Sequence, residues 1–257
     1  MKNKPLVTVI TATYNSGNVL QRCIDSVSAQ TYSNIEYIVI DGGSKDNTVD
    51  IIKLNEHVIT KWISERDEGV YDAWNKGIEL ATGDWIVFIG SDDTFYPDAI
   101  QTYVSFIENN NQQLDFVSSR VHITNSKDQV IRTFGWPWIW AKSKRVCTIA
   151  HPGSFHRRDL FKTYGDYNKS YKICGDYELL LRAGSALKTA YIEFVSLKMQ
   201  VGGLSDSYKV YLEHYKAVTS TGKLSNIVAS YDLIKEYSKF LLKRGFRYLG
   251  LNIALKK

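Results

Sequence analysis

The chain has 257 residues, of which 44% are hydrophobic, 13% aromatic and 23% charged, enough for one large globular domain or one domain with an appendage and too apolar for a disordered chain. Its net charge of +5 is uneven: residues 235–257 hold seven basic residues against one acidic, so the body is near neutral and not shaped for nucleic acid. Cys23, Cys147 and Cys174 lack CxxC spacing, which excludes a disulfide framework or zinc site and fits a reducing cytoplasm, and no apolar run reaches the length of a signal-peptide core or a bilayer span.

In chain order, LVTVITA (6–12) reads as a strand, followed by a helix near 17–29, the strand IEYIVID (35–41), a helix near 46–54, the strand VITKWIS (58–64), a helix near 70–81 and the strand WIVFIG (85–90). This alternation predicts βαβ units in an α/β fold with a mostly parallel sheet, in which ligands sit at the carboxyl ends of the strands. Those ends carry Thr11, Thr13, Tyr14 and Asn15, then Asp41 with Gly42-Gly43-Ser44, then Glu65-Arg66-Asp67, then Ser91-Asp92-Asp93. Ordinary turn chemistry accounts for any one of these clusters, but four converging on one edge point to a shared site. No GxGxxG follows the first strand and no GxxxxGK[ST] occurs, which disfavours a dinucleotide fold and a P-loop. The adjacent carboxylates of Asp92 and Asp93 suit magnesium or manganese bridging to a diphosphate. In the helix near 70–81, Val70, Trp74, Ile78 and Ala81 form an apolar face and Asp72, Asn75 and Lys76 a polar one.

The series VTVITATYN, YIVIDGGSKDNT, SERDEGVYDAWNKG and ATGDWIVFIGSDD resembles the family 2 glycosyltransferases over roughly residues 5 to 100. The resemblance implies a Rossmann-like GT-A fold and inverting transfer of a sugar from a nucleotide donor, usually uridine diphosphate, with Mn2+ or Mg2+. By position, it implies Asp93 as the metal ligand, Asp92 toward the ribose or the metal shell, and Ser91 where the family's motif has its first acidic residue. Thr11, Ala12 and Tyr14 would flank the nucleobase and ribose, Asp41 would accept a hydrogen bond from the base, and Arg66, Asp67, Gly69, Asp72 and Lys76 would line the donor pocket. The boundaries that follow are 1–100 for the donor half, 101–222 for an acceptor-binding and catalytic half of the same domain, and 223–257 for a helical extension.

Beyond residue 100 the resemblance is weaker. HPGSFHRRDLF (151–161) is similar to the family's acceptor-side strand, which implies His151 at the acceptor, and CGDYELLLR (174–182) to the helix start that carries its base. Many relatives have Glu-Asp where this chain has Gly175-Asp176; Asp176 is the base candidate, with Glu178 as its substitute and a helix N-cap as the ordinary role. FGWPWIWAK, read as extended, directs Trp136, Trp138 and Trp140 to one side, for core packing, acceptor stacking or membrane contact; Trp136 and Trp138 are the acceptor candidates. MQVGGLSDSY (199–208) looks like the loop that closes on donor in these enzymes. In the tail, Leu233, Tyr237, Phe240, Leu241 and Tyr248 recur at helical spacing among basic residues, which reads either as a packed terminal helix or as an amphipathic anchor on an anionic membrane. The expectation is a cytoplasmic enzyme, peripheral on the inner face of the cell membrane, acting on a saccharide or polyprenyl-linked saccharide acceptor. Its rivals are a catalytically silent sugar-nucleotide-binding module and a sugar nucleotidyltransferase.

Overall fold

The computed structural model describes residues 4–202 and 207–248, with side chains to residue 242. Four strands, β1 (Val7–Thr13), β2 (Ile35–Asp41), β3 (Lys61–Ser64) and β4 (Trp85–Gly90), run parallel in the order β3-β2-β1-β4. They are joined by α1 (Leu20–Ser28), α2 (Thr48–Leu54) and α3 (Val70–Leu80). The predicted alternation is therefore present, with boundaries within a few residues of those expected. The strands are almost wholly apolar because both faces of the sheet are covered. Successive residues divide between two cores: Val7, Val9, Tyr37, Val39, Val87 and Ile89 face one, and Ile10, Ile38, Ile40, Ile86 and Phe88 the other.

A two-residue strand β5 (Thr94–Phe95) and α4 (Ala99–Glu108) lead into β6 (Phe116–Thr124) and β7 (Val130–Phe134). After α5 (Trp140–Ser143) come β8 (Phe155–Arg157), α6 (Arg158–Tyr164), α7 (Gly175–Ala183) and β9 (Thr189–Gln200). Strand β8 pairs antiparallel with both β4 and β6, so the described residues form one continuous sheet, β3-β2-β1-β4-β8-β6-β9-β5, with β7 on β6. The sheet carries the four parallel strands and the strands of the second half of the chain in one body.

One buried charge fastens the far end of this sheet. Glu36 accepts hydrogen bonds from Thr8 Oγ1 (2.7 Å), Lys61 Nζ (2.8 Å), Thr82 N (2.8 Å) and Thr82 Oγ1 (2.9 Å). Burial raises its pKa, but these donors outweigh burial and hold it at about 2.

The three spaced tryptophans do not share a side. Gly135 adopts φ 121°, and a β-carbon there would lie 2.4 Å from the Ser119 carbonyl oxygen, so the chain turns away from β6 at this point. Trp136 is exposed against Phe134, whereas Trp138 is buried beside Trp140 and Tyr177. Helix α5 begins at Trp140, which ends the period-two alternation on which the expectation rested.

The chain continues through α8 (Lys209–Ser220) and α9 (Asn226–Tyr248). Helix α9 is tied to the body by Ala229 in the core, by Asp232, which accepts from Arg145 Nε (2.8 Å) and Nη2 (2.6 Å), and by Tyr237 and Phe240 against Tyr211 of α8. Its opposite side exposes Ile227, Tyr231, Ile234, Leu241 and Leu242. The expected apolar face therefore divides: Phe240 and one side of the partly exposed Tyr237 pack on Tyr211, while a second stripe faces out. Tyr248 and the basic residues from Lys243 onward have side chains outside the described residues, as do positions 203–206 of the expected closing loop. Among the described residues no helix is long and apolar enough to cross a membrane.

Candidate active site

The carboxyl ends of the four parallel strands are laced together by their own polar side chains. Asn15, at φ 48°, closes the first loop by accepting from Lys45 N (2.8 Å) while its own N–H donates to Ser44 Oγ (2.8 Å). Ser16 N donates to Thr48 Oγ1 (2.8 Å), and Ser91 Oγ donates to Ser16 Oγ (2.9 Å), which joins the β1, β2 and β4 loops. The β3–α3 loop is joined too: a β-carbon on Gly42 would lie 2.4 Å from Asp67 Oδ2, so glycine there lets the Asp67 carboxylate lie against the β2 loop.

Asp41 is fully buried and organises its loop. Its Oδ2 accepts from Gly43 N (3.2 Å), Ser44 N (3.0 Å) and Ser64 Oγ (2.6 Å), and its Oδ1 from Ser44 Oγ. Thr11 is also buried, beneath the surface against Tyr37 Oη (3.1 Å) and Cys23 Sγ (3.7 Å). Ala12 is half-buried, and Tyr14 is 61% exposed, a flat ring standing free at the strand end. Of the three residues expected around the nucleobase, Tyr14 is the exposed one.

Two carboxylates mark the end of β4. A β-carbon on Gly90 would lie 3.0 Å from both Asp92 Oδ1 and Asp93 Oδ2, so both side chains fold over the same glycine. Asp93 is 3% exposed; its Oδ2 accepts from Gly90 N (3.2 Å) and its Oδ1 from Gln200 N at the end of β9 (3.3 Å). Burial, and then the charge of Asp92, push its pKa up to about 7, and among the described residues no lysine or arginine offsets that charge. Nor, among the described residues, do three or more His, Cys, Asp or Glu gather into a ready cation site there. The pair fits a hard divalent ion that takes one or two carboxylates and completes its shell with water and phosphate oxygens.

Helix α3 forms the next wall. Gly69 precedes it at φ 121°, and Asp67 Oδ1 accepts from Gly69 N (2.9 Å). Lys76 pairs with Glu65 (2.8 Å) and donates to the Arg66 carbonyl (3.1 Å), at 3.9 Å from Asp72; Asp72 is nearer Lys169 (3.1 Å). Asp72, Asn75 and Lys76 line a hollow of about 560 Å³ with Asp166 and Lys169 on the outer flank of α3, and the Arg66 side chain is exposed.

Asp176 is the second residue of α7, half-buried, and reaches across to α3. Tyr71 Oη lies 3.1 Å from Asp176 Oδ1 and 2.7 Å from the Ile173 carbonyl oxygen. Burial pushes the Asp176 carboxyl up to about 6, opposed by the Tyr177 N–H and the Tyr71 phenol. The N-cap is Cys174, not Asp176. Glu178 turns to the core, where it accepts from Thr221 Oγ1 (2.9 Å) and pairs with Arg182 (3.2 Å), which leaves Asp176 as the less buried of the two carboxylates.

Two residues against the start of α7 are not among those expected from the sequence: Tyr71, inside the segment GVYDAW, and Glu213 of α8, which accepts from the backbone N–H groups of Lys172, Ile173 and Cys174 (2.8–3.0 Å) and so holds the start of α7. His151 and Trp138 are not on an open acceptor face. His151 is 5% exposed, stacked on Trp74 (4.9 Å) with Nε2 at 3.0 Å from Tyr167 Oη, and burial lowers its pKa to about 3, so the ring is neutral and enclosed.

A family profile described as Glycosyl transferase family 2 matches residues 8–165. The chain is 35% identical over 218 residues to a PGL/p-HBAD biosynthesis glycosyltransferase of Mycobacterium tuberculosis strain H37Rv, covering 79% of this chain and 80% of that protein. An uncharacterized glycosyltransferase of Rickettsia typhi is 26% identical over 231 residues, 84% and 71% of the two chains. Among solved structures, S. aureus TarS 1-349 in complex with UDP-GlcNAc superposes with a TM-score of 0.67 at 16% identity over 95% of this chain and 73% of that one. The mannosyltransferase PcManGT of Pyrobaculum calidifontis, in complex with GDP-Man and Mn2+, superposes at 0.63 with 16% identity over 96% and 81%. At these identities the structures speak to the fold, which is that of GT-A glycosyltransferases.

Proposed function

The chain belongs to glycosyl transferase family 2, and from that premise we propose that it moves a sugar with inversion from a uridine diphosphate sugar to a hydroxyl of a saccharide or lipid-linked saccharide, in surface polysaccharide or glycolipid synthesis. The observation that carries this reading is the Asp92–Asp93 pair at the end of β4, buried on the Asp93 side and with no lysine or arginine among the described residues to offset it. Tyr14 stacks the nucleobase, and the loops held by Asp41 and Asp67 frame the ribose and diphosphate. Asp92 and Asp93 hold the divalent ion, which when bound neutralises charge on the departing diphosphate. Asp176, ionised near neutral pH but held close to its midpoint, takes the proton of the acceptor hydroxyl as that oxygen attacks the anomeric carbon.

The likeness to a mycobacterial PGL/p-HBAD biosynthesis glycosyltransferase supports a lipid-borne acceptor, and α9 supports a surface location. Its outward stripe of Ile227, Tyr231, Ile234, Leu241 and Leu242 is flanked by Lys235 and continues into the basic tail, an arrangement suited to the anionic inner face of a membrane. Titration calorimetry with uridine diphosphate tests the site: binding should require Mn2+ or Mg2+ and be lost in Asp93→Ala with the fold retained. Metal-independent binding of equal strength would overturn the assignment.

A further inference from the structure

Gly175, at the position where the resemblance puts a glutamate in many relatives, lies directly against the Tyr71 ring. A β-carbon at position 175 would lie 2.8 Å from Cε2 and 2.9 Å from both Cδ2 and Cζ of the Tyr71 ring. Its absence lets the ring lie flat against the first turn of α7 and brings Oη between the Ile173 carbonyl and the Asp176 carboxylate. Tyr71 is 3% exposed and its ring is further held by Trp74 (5.4 Å) and Tyr167 (5.4 Å), so the phenol is fixed in place. A phenol has one proton to donate, and here it faces two acceptors.

We propose that Tyr71 is the positioning residue of the base: its single proton is donated to Asp176 while that carboxylate is ionised, and turns to the Ile173 carbonyl once Asp176 carries the proton taken from the acceptor. The proposal rests on the reading of Asp176 as the base. The proton balance is simple. The acceptor O–H bond breaks, its proton joins an Asp176 oxygen, and its electron pair forms the new glycosidic bond as the bond from the anomeric carbon to the phosphate oxygen breaks and the nucleoside diphosphate leaves with that pair; the Tyr71 proton rotates between partners and never leaves the phenol. The neutral Asp176 carboxyl can then donate to Tyr71 Oη, so the same contact serves both protonation states.

Glu213 supplies the counterweight. Its carboxylate fixes the three N–H groups ahead of α7 and places a like charge near Asp176, raising the base's pKa as the Tyr71 phenol lowers it. Among the described residues, Tyr167 ahead of α7 and Cys174 in its cap also act on this site, both neutral and buried; the Lys172 ammonium is directed to the Glu68 carbonyl.

Carbon-13 NMR of the full chain with labelled aspartate carboxyls tests this, with Asp176→Asn assigning the resonance. The native midpoint should be about 6. Tyr71→Phe should raise it by roughly one pH unit, and Glu213→Gln should lower it. Gly175→Ala, which crowds the ring instead of removing the hydroxyl, should move it upward like Tyr71→Phe and covers the case in which that variant does not fold. The rising limb of the pH profile for hydrolysis of UDP-N-acetylglucosamine should follow these shifts, with donor KM unchanged. An unshifted midpoint in folded Tyr71→Phe or Gly175→Ala, or shifts of the same sign in Tyr71→Phe and Glu213→Gln, would overturn the proposal. Normal turnover by Asp176→Asn with the shifts intact would instead remove the base reading on which it rests.

Discussion

Asp176→Asn should make the protein more stable at neutral pH while removing its activity. The carboxyl of Asp176 is raised from 3.8 to about 6 in the folded chain, so folding favours its protonated form. A carboxyl whose folded pKa lies above its unfolded one contributes stability fully below pH 3.8 and loses it as pH rises through 6; above that range the native state carries the whole cost of the charge. The difference corresponds to about 3 kcal/mol at pH 8, falling to about 0.5 kcal/mol at pH 4. Asparagine has nearly the same shape, still accepts from Tyr71, and carries no charge to desolvate. For a chain of this length about 3 kcal/mol corresponds to a melting-point rise of about 6 °C. Thermal melts of the native chain and Asp176→Asn at pH 8 and pH 4, in chelator, should therefore diverge at the higher pH and nearly coincide at the lower. Turnover at pH 8 should fall by roughly a hundredfold or more, because the amide cannot take the acceptor's proton. An Asp176→Asn protein that melts at or below the native temperature at pH 8 would refute the argument that burial, and not hydrogen bonding, dominates this site.

Glu36 should show the opposite linkage. Its folded pKa of about 2 lies below its ordinary 4.5, so its stabilisation is present above pH 4.5 and is lost as pH falls toward 2. Glu36→Gln should cost about 3 kcal/mol at pH 7 and much less at pH 2.5; equal losses at both would remove the charge from the explanation. For the nucleobase, uridine diphosphate should bind well above guanosine diphosphate, with Asp41→Ala and Tyr14→Ala each narrowing the gap, and equal affinities in the native protein would contradict the base contact. For the tail, the full chain should sediment with anionic vesicles and not neutral ones, with salt weakening the effect, and a folded chain truncated before Tyr231 should lose it. Undiminished binding by that truncation would leave α9 as packing alone.

The strand and helix positions of the first hundred residues were legible because both faces of the sheet are covered, so its strands are unbroken apolar runs punctuated by polar loops. The polar loops that converge at the strand ends were legible for the same reason, as was the Asp92–Asp93 pair. What periodicity could not give was depth. Thr11 sits at a strand end but its side chain points under the sheet toward Tyr37, and His151 lies in a segment of acceptor-side pattern yet is enclosed by Trp74 and Tyr167. The tryptophan alternation failed because Gly135 and the start of α5 interrupt the extended chain, a matter of backbone conformation that three aromatic letters do not carry. Tyr71 and Glu213 reach α7 from 105 and 37 positions away from Asp176, distances over which no local motif operates. A trace was present in Gly175, whose missing side chain acquires meaning only once the Tyr71 ring is seen against it.

The central claim, that the Asp92–Asp93 edge serves metal-dependent transfer from a uridine diphosphate sugar, is tested most directly by turnover on a donor panel. The full chain would be incubated with uridine, guanosine and thymidine diphosphate sugars, each with Mn2+, with Mg2+ and with chelator, and the free nucleoside diphosphate measured. The account predicts release from a uridine diphosphate sugar with metal, none in chelator, and none from Asp93→Ala under any condition. Release that persists undiminished in chelator or in Asp93→Ala would contradict it.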